Sequence, residues 1–174
     1  KAVDEFLALA YYREKNLPVV VVRCFNTCGP RQVGSYGMVI PRLIRQAIEG
    51  EPLTIFGDGS QSRCFSYVGD VVRGVMMLSH SDDALGQVFN IGNGNDINII
   101  EMAHMINKMT GNKADIIHTP KRKWDNKRKR VACIEKTVKT IHFKPFVDFE
   151  TGLKTNIEWF KDNWNNIKAS TDFP

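Results

Sequence analysis

Chemistry has few places to sit in this chain. The stretch Arg23-Cys24-Phe25-Asn26-Thr27-Cys28-Gly29-Pro30-Arg31-Gln32 leaves the apolar run Val19 to Val22 and breaks at once into turn residues. A buried strand that opens into a polar, Gly/Pro-punctuated loop at its carboxyl end is where open α/β sheets place their ligands. A second candidate is the basic run Lys121 to Arg130, which carries Trp124. Such a run can neutralise nucleic-acid phosphates while the aromatic stacks on a base, or it can be a solvated loop. The pairs Gly57-Asp58-Gly59 and Gly92-Asn93-Gly94 lack the further glycine that a dinucleotide-cradling turn requires. Cys24, Cys28, Cys64 and Cys133 show no Cys-x-x-Cys pair and no zinc spacing with His80, His104, His118 or His142. Reduced thiols and no metal are therefore expected.

The elements that would position these residues follow from periodicity. Phe6, Leu7, Leu9, Ala10 and Tyr11 recur at helical spacing between Ala2 and Lys15, and Asn16-Leu17-Pro18 ends that helix. A second amphipathic helix runs from Met38 to Ile48, with Gly50 placed to close it. Leu53 to Phe56 reads as a strand, followed by a Gly57-Asp58-Gly59 turn that needs positive φ. Ser60 to Val68 alternates like a half-exposed strand, Asp70 is placed to cap a helix from Val71 to Ser79, and Gln87 to Ile91 is a short strand. A helix from Ile99 to Met109, a strand from Ala114 to Ile117 and a terminal helix from Phe149 to Trp164 complete the pattern. Apolar strands alternating with amphipathic helices indicate an α/β protein with a parallel sheet.

The 174 residues, 43% hydrophobic content and net charge of +5 suit one ordinary core. No apolar run approaches the roughly twenty residues of a membrane span, and no leader peptide opens the sequence, so a soluble, cytoplasmic protein is expected. Lys1 opens directly into a helix already in register, which suggests a piece of a longer protein.

Four ordered motifs carry a resemblance. They are Lys1-Ala2-Val3-Asp4-Glu5, Val22 to Arg31, Gly57 to Val71, and Phe89-Asn90-Ile91-Gly92-Asn93-Gly94. Together they resemble the C-terminal half of the extended short-chain dehydrogenase/reductase family of NAD-dependent nucleotide-sugar epimerases, dehydratases and decarboxylases, and look most like its UDP-glucose 4-epimerases. The resemblance implies the C-terminal part of a Rossmann-like parallel sheet plus a small α/β substrate-binding subdomain. Residues 1–35 would end the NAD-binding domain. Residues 36–174 would be mostly substrate-binding, with 53–95 partly returning to the Rossmann-like sheet.

Roles follow from the same resemblance. Lys1 matches the lysine of the Tyr-x-x-x-Lys pair, where an ammonium lowers the tyrosine pKa, and the tyrosine would precede the first residue. Lys1 would also meet the nicotinamide ribose of NAD, with Cys24 and Phe25 near the nicotinamide ring. Asn26 matches a diphosphate-binding amide, although an Asx turn would use the same side chain. Val39 matches a backbone amide facing the phosphates, and Phe56 an aromatic at the base. Arg63 and Arg122 match the two diphosphate-binding arginines, with Arg128 as a substitute for the second. Cys64 and Cys133 stand where many members carry an acid.

The expected function is the UDP-sugar-binding half of an epimerase working through a 4-keto sugar. The isolated chain would be inactive and its parent a homodimer, paired through a bundle that includes the first helix. A dehydratase or UDP-glucuronate decarboxylase is the alternative within the family. A polyanion- or nucleic-acid-binding module acting through residues 121–130 is the alternative from another class.

Overall fold

The computed structural model describes residues 1–32, 34, 38–121 and 128–169. Its first helix, α1 (Ala2–Lys15), ends where Asn16 turns left-handed at φ 52° ahead of Pro18, which would clash with continued helix. Strand β1 (Val21–Cys24) follows and pairs in parallel with β6 (Val88–Ile91), from Val21 opposite Val88 to Cys24 opposite Ile91. Gly86 precedes β6 at φ +68°, and the ring of Tyr12 packs so close that an added Cβ would stand only 2.1 Å from it. That contact presses α1 against the sheet.

After β1 the chain changes partners. Asn26 adopts φ 35°, a left-handed conformation that asparagine tolerates, and β2 (Thr27–Cys28) then runs parallel to β5 (Ser66–Tyr67). Helix α2 (Val39–Ile48) buries Ile40, Leu43, Ile44 and Ala47, and Gly50 stands at φ 72° just past its end, as expected of a closing glycine. Strand β3 (Leu53–Phe56) lies parallel to β8 (Ile116–Thr119). Period-two alternation sends Leu53 and Ile55 into the core and leaves Thr54 and Phe56 on the other face.

The single strand expected over 60–68 is instead two. Strand β4 (Ser62–Arg63) sits between β7 (Ile97–Asn98), antiparallel, and β9 (Lys129–Arg130), parallel, while β5 belongs with β2. The expected half-exposed alternation fails at Cys64, Phe65 and Ser66, which are all buried, where the ladder breaks between Arg63 and Ser66 as the chain passes from one small sheet to the next.

Asp70 is also reassigned. Helix α3 (Val68–Ser79) starts before it, so Asp70 lies in the first turn and caps nothing. Its Oδ2 accepts the backbone N–H groups of Phe146 and Val147 at 3.0 and 2.9 Å, and its Oδ1 accepts from Arg73 at 2.7 Å. This carboxylate pins the segment before α6 onto α3.

The remaining helices are α4 (Ile99–Thr110), α5 (Glu135–Ile141), α6 (Phe149–Asp162) and α7 (Trp164–Ala169). Two apolar clusters result. The larger joins α2, β3, α4 and α6 through residues such as Leu43, Ile55, Met102 and Phe160. The smaller joins β6 to α3 and the C-terminal end of α5 through Phe89, Ile91, Leu78 and Phe143. The observed class is α/β with parallel strand pairs, as the periodicity predicts. Among the described residues, no helix is long and apolar enough to cross a membrane.

Candidate substrate-binding cleft

A cavity of about 530 Å³ opens between these layers. Asn26, Thr27 and Gln32 reach it from the loop after β1, and Met38 to Ile40 with Arg42 from the start of α2. Phe56 comes from the end of β3, Gln61, Arg63 and Phe65 from the β4 region, Ile99 from α4 and Lys121 from the chain beyond β8. Four residues singled out in the sequence, Asn26, Val39, Phe56 and Arg63, thus meet in one place.

Local structure explains each position. The left-handed turn at Asn26 swings its amide toward β4, where Nδ2 donates to the Cys64 carbonyl at 2.8 Å. That is a bridge between the two strand regions, not an Asx turn. Arg63 is held between two strands, and its Nη1 donates to the Ser62 carbonyl at 2.8 Å. Val39 begins α2, so its backbone belongs to the first turn, where N–H groups lack helical partners and the helix dipole is positive. Gly59, at φ +77°, lets the turn after β3 close on Ile100, whose Cβ would lie 2.8 Å from an added Cβ. Gln61 then donates to the Phe56 carbonyl at 2.9 Å and fixes the end of β3.

The charge balance of the cleft is one-sided. Arg42, Arg63 and Lys121 line it, and none of its described lining residues is acidic. A partly enclosed wall of cations attracts anions strongly because field lines concentrate in the low-dielectric cleft. Among the described residues, the lining holds no histidine, carboxylate or cysteine. No group of potential metal ligands occurs among the described residues.

The residues expected near a cofactor lie elsewhere. Cys24 is exposed at the end of β1, and Phe25 continues the pairing by donating its N–H to Ile91 at 3.0 Å. Arg23, one residue before Cys24, grips Glu5 with two bonds of 2.8 and 2.5 Å. The bond to Arg23 holds the Glu5 carboxyl below its usual range. This pair draws the first turn of α1, and with it Lys1, toward the carboxyl end of β1. Lys1 itself is exposed, with Nζ 3.4 Å from Asp4. Arg122 lies outside the described residues. Arg128 lends its backbone carbonyl to Ser62 at 2.9 Å.

Sequence reasoning assigns no ligand role to Arg42 or Gln61, and singles out Lys121 only as the start of the basic run. Arg42 stands three residues after Val39 and four before Gln46, a spacing that places all three along one side of a helix. That signal was present but pointed to no ligand until β3 was known to lie beneath it.

Comparison with known proteins identifies the family. The model of the NAD dependent epimerase/dehydratase family matches residues 1–92, just over half of the chain. The UDP-N-acetyl-alpha-D-glucosaminuronate decarboxylase of Bacillus cytotoxicus is 37% identical over 172 residues, spanning 95% of this chain and 53% of that protein. Among solved structures, an epimerase from Methanothermobacter thermautotrophicus superposes with a TM-score of 0.94 at 35% identity, over 97% of this chain and 51% of that one. The UDP-glucose 4-epimerase of Thermotoga maritima, solved with UDP-glucose, gives 0.88 at 31% identity, over 94% and 52%. The chain spans about half the length of the first relatives it matches. With a Rossmann-like parallel strand pair, the ordered motifs and this match together, the chain belongs to the family of NAD-dependent nucleotide-sugar epimerases and dehydratases.

Proposed function

We propose that this chain forms the UDP-sugar-binding part of an NAD-dependent epimerase that works through a 4-keto sugar. The observation that carries the proposal is the meeting of Asn26, Val39, Phe56 and Arg63 in a cleft with three cations and no described acidic lining residue. In this reading Arg63 grips the diphosphate through its planar fork. The second N–H of Asn26 and the first-turn amides of α2 donate to the same oxygens. Phe56 offers its ring to the base. Arg122 remains the proposed second diphosphate arginine, and residues 36–174 are the bulk of the substrate-binding subdomain.

Residues 1–35 would border the cofactor. Lys1, Cys24 and Phe25 fit its nicotinamide end because the Arg23–Glu5 pair holds the first turn of α1 beside the end of β1. NAD, when bound, accepts and returns the hydride of the sugar. This chain's part is to anchor the substrate away from the reacting carbon, so that binding energy goes into orientation. The intact protein would act as a homodimer paired through α1.

A decarboxylase or dehydratase is the second reading, favoured by the 37% identity to the Bacillus cytotoxicus decarboxylase. Tighter binding of UDP-glucuronate than of UDP-glucose would support it. The polyanion reading is weaker, because Lys129 already pairs with Asp96 at 3.0 Å and Arg128 lies near Asp58.

Calorimetry with UDP tests the main proposal. Replacing Arg63 with alanine removes a charge-assisted contact and should weaken UDP binding roughly 10- to 100-fold. Absence of UDP binding by the parent chain, or equal affinity in Arg63→Ala, would contradict it.

A further inference from the structure

Arg42, one cation of the cleft, is mounted on an aromatic ring. The guanidinium carbon of Arg42 lies 4.7 Å from the centre of the Phe56 ring, and its Nη2 donates to the Thr54 carbonyl at 3.0 Å. One helical turn on, Gln46 grips the same strand twice, donating to Thr54 Oγ1 at 3.0 Å and accepting from the Thr54 N–H at 3.1 Å. Gln61 holds the Phe56 carbonyl at 2.9 Å. Helix α2 therefore sets Arg42 over the aromatic ring and locks the strand beneath it, and both side chains line the cleft.

Asn26 and Arg63 line the same cleft. They are tied to backbone carbonyls on either side of Arg63, Asn26 to that of Cys64 and Arg63 to that of Ser62. A guanidinium placed over an aromatic ring makes a flat, cationic and aromatic surface. Such a surface suits the face of a nucleobase, whereas a phosphate is best met by the edge of the guanidinium fork.

We infer that Arg42 is a base-recognising residue, forming with Phe56 the platform on which the nucleobase stacks, and that it is not a diphosphate ligand. The inference rests on the reading of the cleft as a nucleotide-sugar site and names the residue that makes it read a nucleotide rather than a bare sugar phosphate. Arg42 acts here through its plane, not only through its charge.

The test is calorimetry on the full chain with two probes, UDP and inorganic pyrophosphate, using the parent, Arg42→Met and Arg42→Lys. UDP affinity should fall roughly tenfold in both variants while pyrophosphate affinity stays unchanged, since loss of a stacked base costs about that much. A parallel fall for pyrophosphate would make Arg42 a phosphate ligand and overturn the inference. Full recovery of UDP binding by lysine would overturn it too, because charge alone would then suffice. So would unchanged UDP affinity in both variants. Failure of the parent chain to bind UDP would instead overturn the nucleotide reading underneath. Phe56→Leu guards against an Arg42 variant that does not fold. It should show the same loss for UDP alone, and equal UDP affinity there would count against the platform.

Discussion

At the scale of single residues, environment separates side chains of one type into different roles. Arg63 lies on a strand paired on both sides and lines the cleft, Arg42 is mounted on a ring, and Arg23 fastens α1 to β1. The cysteines divide as sharply. Cys28 and Cys64 are buried, whereas Cys24 and Cys133 are exposed. Burial, with Cys64 nearby, pushes the Cys28 thiol up to about 12, so it is neutral and unreactive at pH 8. Mass spectrometry after brief alkylation of the native chain should find Cys24 and Cys133 modified and Cys28 and Cys64 untouched until denaturant is added. Rapid native labelling of Cys28 would contradict the burial described. Much at this scale was legible in sequence. Arg63 and Asn26 sit in ordered motifs and Phe56 directly precedes one, so their meeting place could be anticipated. Arg42 was not legible, because its role comes from Phe56 and Thr54 on a strand eleven and more residues away.

At the scale of elements, single polar groups do the joining. Asp70 is the clearest case: burial opposes its ionisation, but the Arg73 guanidinium and the N–H groups of Val147 and Phe146 outweigh it, leaving its carboxyl below the usual range. A lowered folded-state value means that the charged form is favoured by folding. Its stabilisation is full above the unfolded value near 4 and disappears as pH falls through the folded value. Asp70→Asn should therefore cost about 2 kcal/mol at pH 7 and progressively less below about pH 4. Urea melts across that range check it, and a difference that does not shrink in acid would contradict the role. The sequence pattern of an acid before an apolar helix suggested a cap at this position. It misled because the helix start depends on Tyr67 leaving β5 in extended conformation, which no local signal announces. Helix α1 and strand β3, set by strong periodicity and clear stops, kept the bounds read from sequence. Strand β9 and helix α5 were missed, since a run of cations and a short mixed segment carry no period.

At the scale of the whole molecule, one face stands open. Helix α1 buries none of its residues, and Val3, Phe6 and Leu7 are 74, 73 and 57% exposed. Adjacent apolar groups of that size at helical spacing favour association. Sedimentation should show concentration-dependent self-association of the chain, and the pair Phe6→Asp and Leu7→Asp should return it to monomer with unchanged helicity. A monomer at every concentration would contradict pairing through α1. The cleft draws its lining from the loop after β1, α2, β3 and β4, elements spread across the chain. The most direct measurement is to map amide chemical shifts of the isotopically labelled chain during titration with UDP. The amides of Asn26, Val39, Phe56, Gln61 and Arg63 should move together with a single dissociation constant. Shifts confined to Arg128, Lys129 and Arg130, or none at all, would contradict this expectation.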